Sequence, residues 1–153
     1  MRKNYWKKIS ALFLTGAVFG WAYASAKAPK IVVIVKSDGV LASLDSKDIK
    51  AVYLGDKTFQ GSTKIEPLVN GTEALSDLFM KKVLNKTKAQ YKKIWNAKAF
   101  IDGLSAPAVV PASEDIIRAI EKNDDAIGFV LDEDIPKDKK DVKVIYTVDA
   151  GEK

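Results

Sequence analysis

Hydrophobic positions change period several times along this chain. Ile31-Val32-Val33-Ile34-Val35 is an unbroken β-branched run, which predicts a strand buried on both faces, ended by the turn cluster Lys36-Ser37-Asp38-Gly39. From Asp45 the period becomes helical. Asp45 can cap, Asp48 sits in the first turn, Ile49, Val52 and Tyr53 form the apolar stripe, and Gly55 supplies a left-handed stop, so a short helix is expected over about 45–54. A polar, turn-rich stretch follows. Lys64 to Val69 then reads as a second strand, with Pro67 pointing to an edge or an irregularity. Leu75, Leu78, Phe79 and Val83 step by three and four, which predicts a helix from Glu73 to Leu84. Thr87 with Gln90 is a capping box opening a third helix to about Lys98, with Tyr91, Ile94 and Trp95 as its buried side.

Phe100 to Pro111 contains Gly103, Pro107 and Pro111 and reads as a loop or extended crossing. Ser113 is expected to cap a fourth helix, with Glu114 and Asp115 in its first turn and Ile116, Ile117 and Ile120 inside. Ala126 to Val130 reads as a strand in which Gly128 allows a close approach. A charged loop and a last strand, Val142 to Tyr146, follow, with a frayed tail from Asp149. Strands separated by helices imply an α/β fold: a mixed or parallel sheet flanked by helices, in a single lobe.

The first 26 residues follow a different logic. Arg2, Lys3, Lys7 and Lys8 stand without an acid, Ile9 to Ala24 is uncharged and mostly apolar, and Ala24-Ser25-Ala26 has the small residues of a cleavage site. This predicts a signal peptide over 1–26, cleaved after Ala26, a periplasmic or secreted location, and one domain over 27–153. The apolar run is shorter than the roughly 18–20 residues a spanning helix needs. Cleavage also removes most of the formal charge of +5, because four of the 25 basic residues fall in the segment and 21 remain against 20 acids. A near-neutral domain has no global field for nucleic acid.

With no Cys and no His among 153 residues, thiol nucleophiles, histidine bases and structural zinc are excluded. The acidic groups Asp124-Asp125 and Asp132-Glu133-Asp134 sit in turns and read as solvated surface. Asp38, Asp45 and Asp48 match no calcium-loop spacing. No metal and no cofactor are expected, and the chain reads as a non-enzyme.

Several segments, in order, resemble a known family. Leu44-x3-Asp48-Ile49-x2-Val52-Tyr53-Leu54-Gly55, Ile65-x-Pro67-Leu68-Val69-Asn70, and Phe79-x3-Val83-Leu84-Asn85-Lys86-Thr87-x2-Gln90-x4-Trp95 are similar to blocks of phosphate-type periplasmic solute-binding proteins. So are Ser113 through Ala119 and Asp125-Ala126-Ile127-Gly128-Phe129-Val130. The resemblance covers about residues 31–131. It implies the fold of one lobe of a type II periplasmic binding protein, a small inorganic anion such as phosphate as ligand, and a membrane transporter or sensor as partner. Full-length members have two lobes, whereas this chain fits the short single-lobe relatives. It departs at the family's anion signature, where Ser76 stands in place of an arginine, and Glu73 adds a negative charge to the same turn. That loss removes a charge-assisted pair with the anion.

Helix starts leave backbone N–H groups unpaired and bind oxyanions without a cation. The candidate ligand residues are therefore Asn70, Gly71, Thr72 and Ser76 around one turn, Ser113 at another, and Ser43 near the first helix. Thr72 and Ser113 are equally readable as caps of their own helices, and Asn70-Gly71 as a turn pair. Two functions stay open at this point. One is an exported binding module or accessory of phosphate uptake. The other is a periplasmic adaptor or sensory interaction protein that has lost its ligand.

Overall fold

The structure is a computed structural model that describes residues 28–151, so the expected signal segment lies outside the described residues. Its centre is a mixed five-stranded sheet. In chain order the strands are β1 (Lys30–Lys36), β4 (Glu66–Asn70), β5 (Ala108–Val110), β6 (Ala126–Leu131) and β7 (Val142–Asp149), and a separate short hairpin is made by β2 (Phe59–Gln60) and β3 (Thr63–Lys64). The spatial order is β5-β4-β6-β1-β7. β4 runs parallel to β5 and β6, while β1 is antiparallel to β6 and β7.

The expected fold class is therefore the observed one, and β1 is buried on both faces as its β-branched run requires. Ile31, Val33 and Val35 face one core, with α1 (Ser46–Tyr53), α2 (Glu73–Phe79) and α3 (Lys88–Asp102) over them. Val32 and Ile34 face the other, under Ile116, Ile117 and Ile120 of α4 (Ser113–Lys122). Removing such fully buried side chains from water is the main favourable term for the domain. Tyr53, Phe79 and Phe129 meet at the centre of the larger core, the two phenylalanine rings stacked at 3.8 Å between centroids. Trp95 is part of this core and donates its indole N–H to the Tyr53 carbonyl. Gly55 takes φ +74° as expected, and a Cβ there would lie 2.9 Å from the Trp95 ring.

Several expectations need correction. Pro67 does not mark an edge: β4 lies between β5 and β6, and the proline falls where registration with β6 (Glu66, Pro67) gives way to registration with β5 (Leu68–Asn70). The helix expected over Glu73–Leu84 does form, its last turn as a π turn (Met80–Leu84), and it stops at Asn85, which takes φ 55°. α3 continues four residues past Lys98, and the crossing after it contains strand β5. The N-cap of α4 is Ala112 and not Ser113, which is the first helical residue. The last strand reaches Asp149 and is tied down there, since the Ala150 N–H donates to the Pro29 carbonyl at 2.9 Å. Among the described residues no helix is long and apolar enough to cross a membrane.

The start of α1 gives a pH-dependent prediction. Asp45 and Asp48 form a reciprocal capping box, which is the role of these acids here. Lys57 Nζ donates to Asp48 Oδ1 at 2.7 Å, and this bond, with the Asp45 N–H adding to it against the cost of burial, holds Asp48 below the usual carboxylate range. A carboxylate with a lowered folded pKa stabilises the fold above its unfolded value of about 4, and that contribution is lost as pH falls through the folded value. Lys57→Met is expected to be less stable than the parent at neutral pH, with the difference closing at about pH 2. Urea midpoints at the two pH values check it, and a difference that persists in acid would assign the effect to packing of the lysine stem.

Candidate functional site

The parallel strands β4 and β5 are neighbours, but the helices that follow them lie on opposite faces of the sheet. α2 leaves β4 toward the larger core, and α4 leaves β5 toward the smaller one. Such a switch opens a crevice beyond the carboxyl ends of the strands, the usual place for ligands in open α/β sheets. Two turns border it here, Asn70-Gly71-Thr72 and Val110-Pro111-Ala112-Ser113.

Asn70 clamps the two turns together. Its side chain is almost fully buried; Nδ2 donates to Ser113 Oγ at 3.0 Å and toward the Phe129 carbonyl at 3.4 Å, while Oδ1 accepts the Thr72 N–H at 2.9 Å. The Gly71 N–H donates to the Val110 carbonyl at 2.7 Å. Glycine is required by the approach of the second turn, because a Cβ at Gly71 would stand 3.0 Å from both Pro111 Cα and the Val110 carbonyl oxygen. These contacts put the starts of α2 and α4 side by side, with their unpaired N–H groups as donors.

Neither hydroxyl is spent on capping its own helix. Thr72 stands at the N-cap of α2, but its side chain makes no capping bond. Ser113 accepts from Asn70 across the crevice. Acids crowd both helix starts, and each has a cation. Lys88 donates to Glu73 at 2.5 Å, which holds that carboxylate below its usual range, and Arg118 reaches Glu114 at 3.2 Å and Asp115 at 3.3 Å.

Of the six candidate residues, four meet at this crevice: Asn70, Gly71, Thr72 and Ser113. Ser76 lies one turn into α2, buried, with its hydroxyl donated to the Glu73 carbonyl at 3.1 Å. It lines a cavity of about 520 Å³ against α3, whose wall also includes Asn70 and Gly71. Ser43 is elsewhere. It ends a short 3₁₀ turn (Val40–Ser43), donates to the Val40 carbonyl and accepts from Gln60 of the hairpin. Arg118, five residues after Ser113, escaped the sequence reading because only residues at helix starts were weighed as anion donors, and its pairing with Glu114 and Asp115 is a matter of side-chain placement.

No family model matches this chain, and no curated protein matches it. Solved structures do. An ABC-type phosphate transport receptor from Vibrio cholerae aligns with TM-score 0.55 at 17% identity, over 76% of this chain and 45% of that one. A phosphate ABC transporter substrate-binding protein with bound phosphate, described from Clostridium perfringens, aligns with TM-score 0.57 at 15% identity, over 76% and 44%. A possible phosphate binding protein from Planctomyces limnophilus aligns with TM-score 0.53 at 11% identity, over 76% and 40%. The likeness is one of fold: this chain shares the α/β arrangement of part of each of these binding proteins. The chain spans less than half the length of each of these structures.

Proposed function

We propose that this chain is an exported binding module that takes a small, phosphate-like oxyanion in the crevice between the starts of α2 and α4. The observation that carries the reading is the Asn70 side chain, which joins Ser113 to the α2 turn and brings two helix N-termini to one place. An oxyanion there would accept from the Thr72 and Ser113 hydroxyls and from backbone N–H groups, and the converging helix dipoles would favour its charge. With Ser76 in place of arginine, binding rests on these donors without a bidentate cation, so affinity is expected to be weak. The role is capture without chemistry, in the periplasm or outside the cell, as part of or beside a membrane transporter for such anions.

Calorimetry with phosphate and sulfate tests this. Heat at millimolar ligand is expected, with loss of about tenfold in affinity for Ser113→Ala, the size of one hydrogen bond to a charged group. The absence of heat and of a thermal shift with both anions would sink it. Phe100, 93% exposed, and Ile101, 76% exposed, at the end of α3 favour the second reading, an adaptor or sensory protein that docks a partner without a ligand. A chain silent to both anions would make that reading the better one.

A further inference from the structure

The cavity of about 520 Å³ between α2, α3 and β5 is far larger than an inorganic oxyanion needs and falls within the size range of small-molecule sites. One wall is a row on α3. Lys88, Lys92 and Asn96 follow one another at four-residue steps, which places their side chains on one face of the helix. Lys88 is paired with Glu73, whereas Lys92 makes no salt bridge among the described residues. The lining therefore holds two lysines against one glutamate, a net positive charge.

Beside Asn70, Gly71, Ser76 and Tyr91, the lining carries an apolar wall. Val69, Met80 and the edge of Trp95 form the inner side, and Pro107 and Val109 the side toward β5. Val109 is 68% exposed on an edge strand, an apolar surface that the fold itself leaves uncovered. Tyr91 adds no negative charge, since burial pushes its phenol up to about 12. A single cation and an amide on one rim, facing an apolar wall, suit a ligand with one charged end and a carbon body.

We propose that this cavity binds an organic anion, a carboxylate or phosphate ester whose charged end is held by Lys92 and Asn96 and whose apolar body covers Pro107 and Val109. The cavity shares Asn70 and Gly71 with the oxyanion crevice, but neither Thr72 nor Ser113 lines it, and the contacts proposed for Lys92 and Asn96 do not rest on that reading.

The experiment uses the full chain and four probes by calorimetry: phenyl phosphate, benzoate, benzyl alcohol and inorganic phosphate. Phenyl phosphate or benzoate is expected to bind at least tenfold tighter than benzyl alcohol, and whichever binds better reports the preferred head group. Lys92→Gln is expected to weaken that probe about tenfold, as loss of a charge-assisted bond should. Val109→Glu, at an exposed position, is expected to weaken it further by repulsion, while Ser113→Ala leaves it unchanged. Inorganic phosphate should fail to compete at equal concentration. The proposal is overturned if neither organic anion binds at millimolar concentration, if benzyl alcohol binds as well as they do, or if Lys92→Gln has no effect. It is equally overturned if Ser113→Ala abolishes organic-anion binding, which would place the charged end in the crevice. The crevice reading falls separately, on loss of inorganic phosphate and sulfate binding.

Discussion

Gly128→Ala is expected to destabilise the domain by about 1–3 kcal/mol, the cost of forcing an extra methyl into a packed core. Gly128 lies in the middle of β6, opposite Ile34 of β1. A Cβ at this position would stand 2.4 Å from the Cγ2 methyl of Ile116, which is itself fully buried in α4. No rotation of the alanine relieves such a contact, so either α4 lifts from the sheet or Ile116 leaves its rotamer. The urea midpoint should fall with little change in slope. A second substitution locates the cause. Ile116→Leu removes the offending γ2 branch while keeping the volume, so Gly128→Ala should cost distinctly less in that background, and the double-mutant cycle should show a favourable coupling of 0.5 kcal/mol or roughly more. Additive losses would mean that the glycine is required by the strand backbone and not by the isoleucine above it.

That glycine also shows how much could be read from the sequence. Its place in an apolar β-branched context suggested a close approach; which atom approaches is decided by the packing of α4 across the sheet. The strongest local signals gave the right elements: the run Ile31–Val35, the cap at Asp45, the capping box at Thr87 and the stripe of α4 all formed as their pattern requires. What failed depended on long-range pairing. Pro67 pointed to an edge or an irregularity because proline lacks a donor, and only pairing decided between them: β4 is interior and the proline sits at the change of register between its two neighbours. Strand β5 is three residues long and exists through its pairing with Leu68–Asn70, so no local pattern could announce it. The same limit applied to the candidate site. Turn chemistry marked Asn70-Gly71-Thr72 and Ser113 one at a time, but their meeting rests on a contact across 43 positions. Ser43, chosen by the same hydroxyl-near-a-helix logic, has no such contact and bonds to the hairpin.

Asn70 carries the other large effect, because one buried amide holds both turns. Asn70→Ala is expected to lower stability by about 1–3 kcal/mol, since truncation leaves the buried Phe129 carbonyl without this partner, the cost of one buried unpaired group, and removes the acceptor of the exposed Thr72 N–H. Asn70→Asp should cost less. The carboxylate keeps the acceptor for the Thr72 N–H at 2.9 Å, and the Ser113 hydroxyl can turn to donate to it, but it presents an oxygen toward the Phe129 carbonyl where Nδ2 now donates. The helix starts offset part of the buried charge, while the repulsion at the Phe129 carbonyl remains. The pair of variants is informative about the site as well as the fold. If Asn70 sets the two helix starts for an oxyanion, variants still folded at low temperature should bind phosphate more weakly than Ser113→Ala, which loses one hydroxyl but keeps the Asn70–Thr72 contact. Thermal melts and calorimetry on the same samples measure both effects. An Asn70→Ala protein as stable as the parent would show that the amide does not clamp the turns. A destabilised variant with unchanged phosphate affinity would leave the clamp in place as a structural device and move the anion elsewhere.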